Sequence, residues 1–428
     1  MEERFDLIII GLGPCGLKAA DIALRNGLNV LAFEKEETGG CCLNRGCVPT
    51  KAILRSSGIY DEIINCKNMG INFEGTVSPD FKAVVERKNS IVKKLRTALE
   101  NKLTKEGLKI IKEEAVVNFE TLTVNGKYGA KNIIVATGSI PFELPLLKFN
   151  KPDILNSDDI LNLEKLPKSI AIIGTGAIGA EWARIFSNFG VEVSVIEKAP
   201  SILPLFDIDI QKRMTRLFKQ KKIKIYTNHS AVSYKNKKLL LDDMTEIEAD
   251  TVLVAAGRKK IIPKGLIINP DLTTNYNNVF AGGDVSSSKM LAHTAGMQAD
   301  FIMNRILNKT AYLTPDILIP SVIYGSPEIA SIGINEQEIK DIEEYKIYNL
   351  PVSYLAKSWC DGQIDGFIKI ITKNDLIEGA HIISNEASSL ISQIQIMMKT
   401  NYRVSNIKDI VFAHPTYSEG ILEAILNG

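Results

Sequence analysis

The sequence has no long hydrophobic run. Its most apolar stretches, such as Leu7 to Ile10 and Ser169 to Ile173, fall far short of the ~18 residues that a membrane span needs, so no membrane association is expected. It also lacks charge of one sign. Lys and Arg number 51 against 50 Asp and Glu, a net charge of +1. Without a global field, neither nucleic acid nor an anionic surface is an expected partner. Lysine clusters such as Lys235, Lys237 and Lys238 read as solvated loop surface. The start, Met1-Glu2-Glu3-Arg4, enters a strand-like run at Phe5. That leaves no room for a basic region, apolar core and cleavage site, and a cytoplasmic location is expected. Cysteine is scarce. Six in 428 residues do not form a disulfide framework, and in a reducing cytosol they should be thiols unless one pair has a catalytic task. His229, His293, His381 and His414 are scattered, none pairs with another at ligand spacing, and no metal site is expected.

What is present is ordinary globular composition, with 45% apolar and 24% charged residues. A single core stops growing near ~250–300 residues, so two to four domains are expected. The chain contains an imperfect repeat. Phe5 to Lys35 and Ser169 to Lys198 each carry an apolar run, a Gly-rich turn, a helical stretch, a second apolar run and an acid. Runs this continuous suit strands buried on both faces, and two copies imply two dinucleotide-binding domains. Phe81 to Glu106 reads as a surface helix packed through Val84, Val85, Ile91, Leu95 and Leu99. Lys131 to Thr137 reads as a buried strand, followed by a link punctuated by Pro141, Pro145 and Pro152. Asp250 to Ala256 and Asn278 to Gly282 are further strands that run into glycine. After about Leu313 the pattern changes to strands at Phe367 to Thr372 and Leu376 to Ser384, then helices at Glu386 to Thr400 and Ser418 to Leu426. The expected architecture is α/β: two Rossmann-like dinucleotide-binding domains plus a C-terminal α+β domain. The expected boundaries are 1–142, 143–256, a central segment 257–313, and 314–428.

Gly11-x-Gly13-x-x-Gly16 follows a strand and opens a helix. Such glycines permit a tight turn and close approach of backbone to a pyrophosphate that faces the helix N-terminus. Glu34 ends the next strand, where a carboxylate accepts from ribose hydroxyls. A lone motif of this kind is often only a turn, but here strand, helix and acid are all in place. Gly174-x-Gly176-x-x-Gly179 repeats the arrangement with Glu197 as the acid. A carboxylate there bonds a free 2′-hydroxyl and repels a 2′-phosphate, which favours NAD over NADP.

The stretch Gly39-Gly40-Cys41-Cys42-Leu43-Asn44-Arg45-Gly46-Cys47-Val48-Pro49-Thr50-Lys51 is the most informative. A straight helix would separate Cys42 from Cys47 by ~7.5 Å along its axis, whereas disulfide Cα atoms rarely lie more than ~6.8 Å apart. A bridge therefore needs a broken helix start, which Gly46 and Pro49 can help to provide. Buried thiols or part of a metal site are the other readings of this pair. Cys15, Cys66 and Cys360 have no such context, and the role of Cys41 stays open.

Taken together, these stretches resemble the class I pyridine nucleotide–disulfide oxidoreductases. The matches run in order along the chain: the first loop, the cysteine stretch, Ala136-Thr137-Gly138-Ser139, the second loop, Ala256-Gly257-Arg258, Ala281-Gly282-Gly283-Asp284, and Phe412-Ala413-His414-Pro415-Thr416-Tyr417-Ser418-Glu419. The resemblance implies FAD on the first loop and NAD on the second. It implies a redox disulfide, with Cys42 as the interchange sulfur and Cys47 facing the flavin. Lys51 would lie near the reactive ring edge, paired with Glu181, and Asp284 would accept from the ribityl chain. His414 would be the base, oriented by Glu419. Cofactor contacts are further implied for Lys35, Gly40, Ala115, Thr137, Gly138, Ser139, Ile178, Gly257, Leu291, Ala292 and His293, the last having a buried core histidine as its alternative. In relatives the His motif reaches across a two-fold axis into the partner's disulfide site, so a homodimer is implied.

Within the family the chain looks like the lipoamide dehydrogenase branch. Cys-Leu-Asn-Arg-Gly-Cys, Met290-Leu291-Ala292-His293, and Pro320 to Tyr324 through Pro327-Glu328 carry that likeness. Glu197 and Ala177 depart from glutathione reductases. The expected reaction is oxidation of dihydrolipoamide with reduction of NAD. Lipoyl domains and the core of a 2-oxoacid dehydrogenase complex are the expected partners. The alternatives are a reductase of another small disulfide such as glutathione, and a FAD-containing scaffold without catalysis. The chain departs from the pattern between Glu197 and Asp250 and between Arg258 and Val279, where it is compressed, and Lys259-Lys260 replaces the usual Pro-Asn. Trimmed exposed loops cost little.

Overall fold

The computed structural model describes residues 3–427. They divide into two compact units, the first comprising 3–52, 83–142 and 258–314, the second 53–82, 143–257 and 315–427.

The first unit is built on a seven-stranded sheet. Its order is Lys109–Ile111, Val30–Phe33, Glu3–Ile10, Tyr128–Val135, Thr123–Val124 and Val117–Asn118, with Val279–Ala281 pairing with Tyr128–Val135. Glu3–Ile10 lies parallel to both neighbours, Ile9 opposite Ala32 on one side and Ile134 on the other. The apolar run predicts burial on both faces, and Leu7, Ile8 and Ile9 are all 0% exposed. Leu7 and Ile9 pack with the helix Pro14–Arg25, while Ile8 and Ile10 pack beneath Phe33, Phe119 and Tyr128. Each such side chain contributes about 1.5–3 kcal/mol on burial. The strand expected at Lys131 to Thr137 starts earlier, at Tyr128, and ends at Val135. Arg258–Lys260, read from sequence as part of a compressed loop, is a strand antiparallel to Ser139–Pro141.

The second unit repeats the plan. Its parallel sheet has the order Lys224–Thr227, Glu192–Glu197, Ser169–Ile173, Thr251–Val254 and Ile154–Leu155. The helix Ala177–Asn188 lies between the two strands of the repeat, as Pro14–Arg25 does in the first copy. Asn236 and Lys237, both at positive φ, make the two-residue turn of a hairpin between Ala231–Lys235 and Lys238–Leu241. The lysines expected on a loop are exposed, but this ordered hairpin carries them. An antiparallel sheet follows in the order Ser321–Ile323, Glu328–Gly333, Leu376–Ser384, Phe367–Lys373 and Tyr345–Pro351. The helices Ala387–Lys399 and Glu419–Asn427 supply Leu390, Ile394 and Ile421 to its core.

Among the described residues, no helix is long and apolar enough to cross a membrane.

Candidate active site

The glycines of the first loop are dictated by contact. A Cβ on Gly11, which sits at φ +97, would lie 2.4 Å from Ala136 O, and one on Gly16 would lie 1.9 Å from Gly11 O. Gly13 precedes the helix, with Pro14 at its first position where no N–H is required. A Cβ on Gly40 would meet Gly13 Cα at 2.7 Å, so the cysteine-bearing segment runs backbone to backbone against the loop. Glu34 is anchored by the Leu12 N–H on Oε2 at 2.8 Å and the Glu36 N–H on Oε1 at 2.9 Å. A carboxylate offers about four acceptor positions, so each oxygen keeps one for a ribose hydroxyl. These residues fit the adenosine half of FAD.

Further along the same unit, Asp284 accepts from Ser139 Oγ at 2.5 Å, and Arg258 donates to that hydroxyl at 2.8 Å and to Ser139 O at 2.7 Å. Thr137 Oγ1 donates to Ile261 O, and Gly138 O accepts from Ile261 N. Lys35 is exposed beside Glu114 at 3.3 Å, and Ala115 is half-buried. Leu291 and Ala292 are half-buried at a helix start. His293 is exposed there, which removes the alternative of a buried core histidine.

The cysteine stretch forms two helices. Gly40–Arg45 ends at Gly46, and a new helix starts at Cys47 and runs to Ile64. The break required to bring the two cysteines together therefore falls at Gly46. All six cysteines stand as thiols. The Cys42 thiol is pushed well above its ordinary range, first by its hydrogen bond with Cys47, then by burial; Lys51 acts in the opposite direction. Cys15 is walled in against Gly282, whose Cβ would lie 2.6 Å from its sulfur, and burial pushes its thiol up to about 12.

Sequence reasoning missed what holds this stretch. Asn44 Nδ2 lies 3.0 Å from both Thr38 O and Gly40 O, and its Oδ1 accepts from Arg96 at 3.3 Å. Arg96 also pairs with Glu37 at 3.1 Å. Arg87 donates to Ala52 O at 2.9 Å. The long helix Phe81–Lys105 is thus a brace for the redox segment as well as a surface helix. Gln298 was missed too; its Oε1 accepts from Gly283 N at 2.7 Å, beside Asp284.

In the second unit the loop geometry recurs. A Cβ on Gly174, at φ +94, would lie 2.6 Å from Ala255 O, and one on Gly179 would lie 1.9 Å from Gly174 O. Gly176 precedes the helix, Ile178 is half-buried, and Gly257 sits exposed at φ +100. Glu197 accepts from Thr175 and Ala199 and keeps an open position on Oε1, which suits the adenosine ribose of NAD. Glu181 is 4% exposed, and its Oε1 accepts from Tyr324 N at 3.1 Å.

His414 Nδ1 lies 2.8 Å from Glu419 Oε1. Burial works against the Glu419 charge, but the Thr416 N–H, at 2.8 Å on Oε2, and His414 hold it below the ordinary carboxylate range. An ionised carboxylate only accepts, so Nδ1 carries the proton. Nε2 is therefore the ring nitrogen left to accept a proton. The imidazole is largely exposed.

Ligand atoms of His229, Asp242 and Asp243 also lie within 4.8 Å of one another, where the Ser230 N–H donates to Asp242 and the Thr245 N–H to Asp243.

Comparison with known proteins gives the family. Residues 5–299 match the pyridine nucleotide-disulphide oxidoreductase family, and residues 319–425 match its dimerisation domain. A dihydrolipoyl dehydrogenase of Mycoplasma genitalium is 33% identical, with 98% of this chain and 97% of that protein covered. One of Chlamydia muridarum is 35% identical, covering 100% and 97%. In fold, LpdA from Mycobacterium tuberculosis superposes with a TM-score of 0.90 at 21% identity, over 99% of both chains. The flavoprotein disulfide reductase RclA from Escherichia coli gives 0.87 at 23%, again over 99% of both chains. Members of this family use FAD and NAD(H). The chain belongs to the pyridine nucleotide–disulphide oxidoreductases.

Proposed function

We propose that this protein oxidises dihydrolipoamide to lipoamide with reduction of NAD, through a Cys42–Cys47 disulfide and bound FAD. The observation that carries the reading is the pairing of two constellations in one chain. Two cysteines are held side by side across a helix break, and a histidine is fixed by a carboxylate so that Nε2 is the free base. Both occur in a chain whose full-length relatives are dihydrolipoyl dehydrogenases.

A substrate thiol gives its proton to His414 Nε2, and the thiolate attacks Cys42 Sγ. The Cys42–Cys47 bond breaks, a substrate–Cys42 bond forms, and Cys47 leaves as a thiolate. The second substrate thiol then attacks the substrate's own sulfur in that mixed disulfide, closing lipoamide and releasing Cys42, which takes up that thiol's proton. Two electrons now reside on the cysteine pair, with Lys51 as the cation that favours thiolate there. Bound FAD would supply the hydride chemistry that links this cysteine pair to NAD. The Gly11, Gly13, Gly16 and Glu34 cradle, with Ser139 and Asp284, would hold FAD, and Gly174, Gly176, Gly179 and Glu197 would hold NAD. Glu181 is assigned to the same machinery.

The active form is a homodimer, with His414 of one protomer serving the cysteine pair of the other. Its substrate in the cell is a lipoyl group on a 2-oxoacid dehydrogenase complex. The domain limits 1–142, 143–256, 257–313 and 314–428 belong to this proposal, as does a cytoplasmic location. The test is NADH formation by the FAD-loaded dimer from dihydrolipoamide and NAD, run beside oxidised glutathione with NADPH. Turnover in the first assay alone supports the reading. Turnover in the second alone replaces it with a glutathione-type reductase, and silence in both leaves a flavin-containing scaffold.

A further inference from the structure

The two nucleotide loops differ in the residue that follows their first glycine. Where the flavin loop has Leu12, 0% exposed and contributing only its backbone N–H to Glu34, the second loop has Thr175, 1% exposed. Thr175 bonds Glu197 Oε2 twice, through its N–H at 2.9 Å and its hydroxyl at 2.7 Å. The Ala199 N–H takes one position on Oε1 at 3.0 Å. Of about four acceptor positions on a carboxylate, Glu34 thus keeps one on each oxygen, and Glu197 keeps one, on Oε1.

The direction of the Thr175 hydroxyl is fixed by its other neighbour. The Leu203 N–H donates to Thr175 Oγ1 at 3.3 Å, so the hydroxyl proton is left for Glu197. Leu203 is fully buried at φ +53. One hydroxyl therefore ties the carboxylate to the segment that follows its strand.

We propose that Thr175 is a positioning residue for the dinucleotide: its hydroxyl saturates Oε2 of Glu197 and aims Oε1 as the single acceptor for the adenosine ribose. The arrangement rests on the reading of the second loop as the NAD site. It also separates the two cofactors by chemistry. Glu34 can accept two hydroxyls, as suits a group that stays bound. Glu197 accepts one, as suits a substrate that must leave each turnover.

The test is calorimetric titration of the FAD-loaded dimer with ADP-ribose, which carries the ribose and lacks nicotinamide. Thr175→Val should weaken binding about five- to tenfold, the equivalent of roughly 1–1.4 kcal/mol for one lost charge-assisted bond. Thr175→Ser should bind within about twofold of the parent. In a Glu197→Ala background, Thr175→Val should add less than about twofold, because the partner it positions is gone. Unchanged or tighter binding by Thr175→Val overturns the proposal, as does an equal loss in the Glu197→Ala background. If the valine variant does not fold, Thr175→Ala takes its place with the same expectations. Dihydrolipoamide oxidation with ferricyanide as acceptor needs no NAD. Its failure in the parent would count against the proposed function, whereas normal ferricyanide turnover with no effect of Thr175 on ADP-ribose would count against this inference alone.

Discussion

Glu419 holds His414 by a single 2.8 Å contact to Nδ1, while its other oxygen is held by the Thr416 N–H at the same distance. The carboxylate is thus fixed to the backbone before it orients the ring. His414→Ala should lower dihydrolipoamide turnover about 10²–10⁴-fold, and Glu419→Ala should lower it less, because the ring is kept but not aimed. Stopped-flow reduction of the flavin by NADH should be unchanged in both. A parallel loss in that half-reaction would show damage beyond the base.

The two glycine cradles can be broken separately. Gly16→Ala puts a Cβ 1.9 Å from Gly11 O, and Gly179→Ala does the same against Gly174 O. The first variant should purify without flavin absorbance. The second should keep its flavin and lose ADP-ribose binding. Flavin loss from both would contradict the assignment of one loop to each cofactor.

Asn44 ties two carbonyls of the redox segment, and Arg96 holds Asn44. Asn44→Ala leaves those groups less well paired and should cost about 1–3 kcal/mol locally. The rate of flavin reduction by dihydrolipoamide should fall while ADP-ribose affinity stays unchanged.

Lys369 is fully buried among Asp207 at 2.9 Å, Asp209 at 2.8 Å and Glu336, with His381 3.8 Å from Asp207. Burial opposes the Lys369 charge, but the three carboxylates hold its pKa above the ordinary value. Burial also opposes the Asp207 charge, yet His381, Lys369 and backbone N–H groups hold it below the ordinary value. Burial lowers His381, whose Nε2 donates to Ile334 O and whose Nδ1 accepts from Ser331. Lys369→Met should destabilise by about 3–5 kcal/mol, since it leaves the buried Asp207 carboxylate without its cation. The Lys369 contribution is complete below ~10.4 and lost as pH rises through its raised folded pKa. The Asp207 contribution is complete above ~3.9 and lost as pH falls through its lowered one. Stability should also decline as pH falls below ~6.5, where the unfolded chain takes up a proton on His381 more readily than the fold does. Melting temperatures from pH 4 to 10 should show this acid decline, and His381→Gln should remove its first part.

The glycine turns and the His414–Glu419 contact were legible because their signals are local. Glycine spacing fixes a turn within six positions, and Glu419 lies five residues from His414. The break at Gly46 followed from comparing helix rise with disulfide reach. Arg96, Lys369 and the Arg258–Lys260 strand were not legible. Arg96 meets Asn44 across 52 residues, and Lys369 meets Asp207 across 162. Charged residues at such separations read as surface until the fold brings their partners in. Thr175 was hidden in another way: it occupies a variable position of a glycine motif, where only the contacts of its hydroxyl distinguish it from Leu12.

The most direct test is an anaerobic titration of the FAD-loaded dimer with dihydrolipoamide, followed by addition of NAD. The parent should lose flavin absorbance on dithiol addition and regain it with NAD as NADH forms, while Cys42→Ser should not respond to the dithiol and should still be reduced by NADH. Full reduction of Cys42→Ser by dihydrolipoamide would contradict the account.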